Sequence, residues 1–282
     1  MTILKYSFLP LFLLGGNFLA LQIINYELNH LFFIPLIFLF ILLSFVAERV
    51  LPYQRAFNQP QQDTCRDTLH AIINETITAL GLLMMPLLPM VDLSLALWPS
   101  QLPNWQQLLL AIFIADIGIT LTHYISHHSD FLWKFHAVHH SVKRMYGFNG
   151  LMKHPLHQML ETSIGVFPLI ILGIPDEILA LLAIAVTLQL LTQHSNVDYA
   201  TGPLKYVLAI NCVHRFHHLN NSAEGNVNFG LFSQFTDLLL GTRYYDQHKS
   251  FNKQNLGISS APNYPDNYLD QLLQPFRKPD IS

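Results

Sequence analysis

LFFIPLIFLFILLSFV, residues 31–46, runs sixteen positions without a charged side chain. A run of this kind approaches the ~20 apolar residues with which a helix crosses hydrocarbon. A second run almost free of charge, Leu4 to Ile24, precedes it, and two more apolar candidates follow: Ile72 to Leu97, interrupted by Pro86 and Pro89, and Gln106 to Tyr124. The whole chain of 282 residues is 51% hydrophobic and only 12% charged, against roughly a quarter charged in a soluble domain. These runs predict four spans. The first reads as an anchor rather than a cleaved leader, because only Lys5 precedes it and no small-x-small site follows GGNFLALQ.

Charge between the runs sets an orientation, since short cytoplasmic loops collect Lys and Arg. NYELNH after the first run and Asp92 to Trp105 after the third have neither residue, whereas Arg49, Arg55 and Arg66 lie between the second and third. Lys134, Lys143, Arg144 and Lys153 follow the fourth. Every span then agrees on a cytoplasmic N-terminus and a cytoplasmic second half, with the cations near lipid headgroups. Met159 to Leu172 and Ile178 to Leu191, joined by GIPDE, are each short for a span and suit either a re-entrant hairpin or a crossing pair.

The expectation is an all-α polytopic membrane protein: about four transmembrane helices, a short hairpin, and a cytosolic histidine-rich helical cap. It reads as a single integral membrane domain with transmembrane helices in 1–104, the histidine region in 105–245 and an irregular tail in 246–282. Cys65 and Cys212 have no metal-binding spacing and read as two thiols. No nucleic-acid partner is expected.

Fifteen histidines are present, and eight fall into three groups: His123 and His127; His136, His139 and His140; His214, His217 and His218. HxxHH occurs twice, where random placement gives roughly 0.04 copies. On a helix, positions i, i+3 and i+4 share a face, while consecutive residues diverge by about 100°. One triplet can therefore serve two neighbouring ions, and eight imidazoles exceed what one four-coordinate ion uses. His128, one step off the His123/His127 face, reads as an outer residue of the centre. His194, His154 and His157 are isolated by spacing but fall on the same predicted side, and His30, His70 and His248 read as hydrogen-bonded core or interfacial residues. Asp116, Thr120, His123 and His127 form one helical stripe, which makes Asp116 a candidate acceptor for a ligand's second N–H.

Imidazole-only sites suit iron, zinc, copper or nickel. Zinc hydrolysis would favour a general base as in HExxH, and no such motif occurs. Transport would favour ionisable groups repeated along several spans, but the first three carry little beyond Glu75. A zinc-dependent membrane hydrolase and a metal transporter or store remain the alternatives to oxygen chemistry on a hydrocarbon.

The ordered motifs DxxxxxxHxxxH, LWKFHAVHHS, KHP, QHSNV, HRFHHLNN and NVNFGLFSQFTDLLLGT, from Asp116 to Thr242, resemble those of the fatty acid hydroxylase and sterol desaturase superfamily of membrane di-iron oxygenases. The resemblance implies O2-dependent hydroxylation, desaturation or cleavage of a lipid at a dimetal centre, with iron as the metal and zinc an alternative occupant. It places His123, His136, His139, His214 and His217 on one ion and His127, His140, His194 and His218 on the other. Where fuller members carry a further histidine, this chain has Leu190, and His154 or His157 is the expected replacement. Further departures are Tyr124 for Arg, His157 for Glu, and Leu239 for Arg. No dinucleotide, CxxC or HPGG haem motif is present. Electrons must then come from a ferredoxin, a cytochrome or a reductase, with Lys143, Arg144 and Lys153 as candidate docking cations.

Overall fold

A computed structural model of the chain describes residues 2–84 and 94–277. Its longer helices are α1 (Thr2–Asn25), α2 (Phe33–Val50), α3 (Thr64–Met84), α4 (Asn104–His128), α5 (Asp130–His140), α6 (Pro155–Leu172) and α7 (Asp176–Gln193). Four short ones follow: α8 (Asn211–His217), α9 (Ser222–Gly225), α10 (Phe235–Leu240) and α11 (Tyr268–Leu273). Among the described residues the only β pairing is two isolated bridges, Pro52 with Val197 and Leu208 with Ser233. The all-helical polytopic expectation holds.

Among the described residues, five helical segments are long and apolar enough to cross a membrane: Thr2–Asn25, His30–Val50, Asn104–His128, Pro155–Leu172 and Asp176–Gln193. The last two belong to the predicted hairpin. Each has 18 residues, about 27 Å of rise, close to the ~30 Å of a hydrocarbon core. The expected span over Ile72 to Leu97 overlaps α3 over residues 72–84, and α3 is not among these five; Pro86 and Pro89 lie outside the described residues.

The direction of each helix follows from its end contacts. Lys5 at the start of α1 pairs with Asp198, just past α7, and its carbonyl accepts from Ala200 N. Leu51 and Tyr53, after α2, bond Asp198 and Asn196. At the other end, Asn104 donates to Asn25 and the 95–98 segment donates to Ile171 and Leu172 carbonyls. The N-terminus of α1 and the histidine-bearing ends of α4 and α7 thus share one end of the bundle.

Helix α4 meets α6 at two small residues. A Cβ on Gly118 would stand 2.8 Å from Ile164 O and 3.0 Å from Gly165 Cα, so the backbones can touch only because both positions lack side chains. Helix α6 is closed by Gly173 in the left-handed region at φ 85°, after which Pro175, Asp176 and Glu177 open α7, as suits the positive end of a helix dipole.

Of the cations placed by charge counting near headgroups or a partner, Arg66, Arg144 and Lys153 are internal, while Arg49, Arg55, Lys134 and Lys143 are exposed. Arg144 is 5% exposed and grips Asp63 through Nε and Nη2 at 2.7 and 2.9 Å; Lys153 is buried against Glu161; Lys143 pairs with Asp266. They brace the cap. Counting charges along a sequence cannot see that Lys143, Arg144 and Lys153 have acidic partners in the fold. The irregular tail also packs inward: Gln271 on α11 bonds His70 and Ser141, and Phe276 lies against Phe135.

Candidate metal centre

Four elements deliver the histidines. The membrane helix α4 carries His123 and His127 one turn apart. Helix α5 starts at Ser129, whose hydroxyl accepts from Leu132 N, and places His136, His139 and His140 in its last turns. His194 caps the end of α7, and α8 supplies His214 and His217 with His218 at its cap. All nine rings are brought together. Their ligand atoms form two compact groups, each with its atoms within 4.8 Å of one another: His123, His127, His136, His140 and His217, and then His139, His194, His214 and His218. The groups abut through His140 and His218, whose ring centroids are 4.8 Å apart.

The division differs from the one the resemblance implies. His139 and His214 move to the second group, and His127 and His140 join the first. The reason is that α5 and α8 each lie between the two groups, so consecutive residues, His139 and His140 or His217 and His218, face different groups.

Five rings have their Nδ1 atoms engaged by oxygen. His123 donates to Phe229 O (2.8 Å), His127 to Asn226 Oδ1 (2.9 Å), His217 to Val227 O (3.0 Å), His139 to Met152 O (3.1 Å) and His194 to Leu190 O (3.2 Å). With the proton on Nδ1, each Nε2 carries a bare lone pair. Nε2 atoms crowd together at short range, His123 and His136 at 3.1 Å, His127 and His140 at 3.1 Å, His194 and His214 at 3.0 Å, His194 and His218 at 3.2 Å, and in the pair His139 and His194, at 3.2 Å, both Nδ1 atoms are already engaged, so two bare lone pairs meet. Lone pair against lone pair is repulsive unless a cation lies between. Nitrogens sharing an ion at a ~2.0–2.1 Å bond length sit about 2.9–3.4 Å apart. The donor set fits two metal ions. His217 Nε2 and the Nδ1 atoms of His136, His214 and His218 are buried with no partner at all.

Burial, and then the neighbouring imidazoles, hold His136, His139, His140, His214, His217 and His218 far below the usual histidine range; burial takes His194 down to about 3. These rings are therefore neutral at physiological pH, the form that binds metal. In metal-free protein the folded state resists protons that the unfolded chain accepts below about pH 6.5. Stability is then fully present above about pH 6.5 and falls as pH is lowered toward the depressed folded values. The melting temperature of chelator-stripped protein should drop steadily across that window, and a flat profile would contradict the neutral, buried rings.

Two openings flank the centre. A polar cleft of about 200 Å³ is lined by His127, His140, His217 and Trp133 and reaches the surface at Ser222 and Ser259. On the membrane side a cavity of about 780 Å³ lies between α3, α4, α6 and α7, with Ile119 and Ala115 on its wall about one and two turns before His123. Its rim includes Leu80, Met159 and Phe167, each about half exposed in the absence of lipid.

The fatty acid hydroxylase family model matches residues 108–242. An ornithine lipid hydroxylase of Rhizobium tropici, OlsE, is 31% identical over 241 residues, covering 82% of this chain and 71% of its own length. The chain belongs to the fatty acid hydroxylase family. All nine converging histidines lie inside the matched region, while α1 to α3 lie before it. No solved structure matches the chain.

Three expectations change within this fatty acid hydroxylase region. Asp116 does not accept from a histidine. Its carboxylate takes the backbone N–H groups of Leu231, Phe232 and Ser233 at 3.2, 2.8 and 3.0 Å, and the Ser233 hydroxyl at 2.6 Å. It sits two turns from His123, about 10 Å along the axis, and acts through the loop whose Phe229 carbonyl receives His123. Asp237 completes the loop by accepting from Phe229 N and Gly230 N, both at 2.8 Å. His128 faces outward, stacked on Tyr124 and bonded to that residue's carbonyl at 2.7 Å, because one residue past His127 is a third of a turn away.

His154 is the third. It caps α6, accepting from Leu156 N, and its other nitrogen meets Leu272 O at 3.2 Å. It is not among the converging rings. His157 does border them, with its ring 4.7 Å from His136 and Nε2 on Ser126 Oγ at 2.9 Å. That position adjoins the five-ring group, so neither residue fills the place opposite Leu190. Glu161, unnoticed in the sequence, approaches His157 Nδ1 at 3.7 Å and pairs with Lys153. A carboxylate already neutralised by an ammonium is a poor seat for a third dication.

Asp116→Ala would strand three backbone donors and a hydroxyl, at a cost of roughly 3 kcal/mol or more. Reduced thermal stability together with reduced metal content is the expected result. Unchanged melting would show that the loop holds without its carboxylate.

Proposed function

We propose that this fatty acid hydroxylase family member binds two iron ions and uses O2 to hydroxylate an aliphatic carbon of a membrane lipid. The observation that carries the reading is the meeting of nine neutral imidazoles in two groups beside a cavity opening between membrane helices. The overall change is R–H + O2 + 2 e⁻ + 2 H⁺ → R–OH + H2O. Iron bound there would supply the redox chemistry that imidazole lacks.

His123, His127, His136, His140 and His217 would hold one ion and His139, His194, His214 and His218 the other. The carbonyls of Phe229, Val227, Met152 and Leu190 and the Asn226 amide orient the rings and fix which nitrogen faces the metal. Ala115, Ile119 and the walls of α6 and α7 keep water from the hydrocarbon chain. The name of the Rhizobium relative supports hydroxylation over desaturation or cleavage, and supports an ornithine lipid as the substrate. Electrons are drawn from an external ferredoxin, cytochrome or reductase. The histidine end faces the cytoplasm, as the uneven loop charges support.

The test is comparative lipidomics of cells making the native chain or His139→Ala, each with and without O2. A lipid heavier by one oxygen should appear only with native protein and O2. Identical profiles in all four cultures, with protein present, would sink the reading.

A further inference from the structure

One ionisable group in the membrane part of the bundle serves none of the roles above. Glu75 on α3 lines the 780 Å³ cavity. Among the described residues Thr187 Oγ1 of α7 is its one hydrogen-bonding side chain, at 3.3 Å, and that hydroxyl lies nearer Ala183 O, at 3.1 Å. Among the described residues no Lys, Arg or His pairs with Glu75. An ionisable side chain at such a level is costly unless something answers it. The Asn74 amide N–H groups beside it go to the carbonyls of Leu151 and Lys153, so the neighbouring side chain has no donor left for it.

The cavity is graded along its length. Glu75, Thr187, Gln158 and Thr162 lie toward the histidine end, while Leu82, Phe167, Ile170 and Leu179 line the opposite end. The lining runs from Gln158 to Ile170 on α6, about 18 Å of helix. Its volume falls within the 300–1,000 Å³ typical of ligand sites. A shape that is long, apolar at one end and hydrogen-bond accepting at the other matches one acyl chain carrying a polar hydrogen near its head.

We propose that Glu75 selects acyl lipids bearing a hydroxyl or secondary amide close to the polar end of the chain, whose O–H or N–H donates to its carboxylate. This rests on the reading of the chain as a lipid hydroxylase and names the class of lipid it takes. Thr187 lies seven residues before His194, about 10 Å of rise, so the recognised group lies between the acyl chain and the metal centre, and the carbons nearest the histidines are those on the head side of that group. A chain lacking the donor leaves the carboxyl unanswered out of water, and such a mismatch discriminates far more strongly than a missing methylene.

The test measures binding, not turnover. Full-length protein in detergent micelles is titrated with methyl β-hydroxypalmitate, N-methylpalmitamide and methyl palmitate by native mass spectrometry, for the native chain, Glu75→Gln and Glu75→Leu. The native chain should favour one or both donor-bearing probes by about tenfold or more. Glu75→Gln, which keeps a carbonyl acceptor, should retain most of the preference; Glu75→Leu should abolish it with metal content unchanged. Equal binding of all three probes by the native chain, or an intact preference in Glu75→Leu, overturns the proposal. Preference for only one donor probe tells hydroxyl from amide.

If Glu75→Leu does not accumulate, a diazirine analogue of the hydroxylated probe on the native chain decides. Label on peptides spanning 75–82 and 158–167, displaced by the hydroxylated probe and not by methyl palmitate, supports the proposal. Label elsewhere, or equal displacement, refutes it. A hydroxylase assignment that failed in cells would leave these binding outcomes readable on their own.

Discussion

Replacing His194 with alanine is expected to leave one metal ion per chain and no detectable hydroxylated lipid, whereas His127→Ala keeps both ions and loses only part of the activity. The asymmetry follows from the division of the rings. His194 belongs to a group of four and its Nε2 meets those of His139, His214 and His218 at 3.0–3.2 Å. Removing it leaves three imidazoles around a position that four would close. His127 belongs to a group of five, so its loss still leaves a tetrahedral complement, and it borders the polar cleft where water can take its place. Loss of a mere outer hydrogen-bond partner costs about 10- to 100-fold in metal affinity or activity, and loss of His194 should exceed that. Metal analysis alongside product detection checks both halves. Equal metal loss in the two variants would mean that the rings are shared differently.

Stripping the protein with a chelator and reloading it is the second large effect. Iron(II) should restore product formation, while zinc should occupy the same rings, restore thermal stability and give no product. Four neutral imidazoles bind zinc readily, but zinc has no redox chemistry. Binding to the folded state alone stabilises either form by mass action, so melting temperature reports loading and product reports oxidation. Zinc-loaded protein that turned over lipid, or turnover without O2, would favour the hydrolase alternative.

Much of this was legible in the sequence, for definite reasons. Hydropathy marks α1, α2 and α4 because lipid demands long uninterrupted apolar runs, and the repeated HxxHH marks ligand helices because 3.6-residue periodicity puts those rings on adjoining faces. The partition of the rings was not legible, since it depends on where α5 and α8 lie relative to α4. Nor could the backbone carbonyls of Met152, Val227 and Phe229 be read, because every residue has one. Asp116 was singled out correctly as an unusual carboxylate and assigned the wrong partner: the stripe it shares with His123 shows direction, not that a loop from 231–233 intervenes. Arg144 and Lys153 look like surface cations until Asp63 and Glu161 are found beside them.

The loop from Asn226 to Ser233 gives the centre a place in time. It supplies oxygen acceptors to His123, His127 and His217 and is itself anchored by Asp116 and Asp237, one on each side of it in the chain. During synthesis, then, rings emerging near position 123 must wait for more than a hundred further residues before their tautomers are set. On the proposed reading, metal loading would accordingly follow insertion, and a chain truncated short of this loop would carry its α4 and α5 rings without the acceptors that orient them.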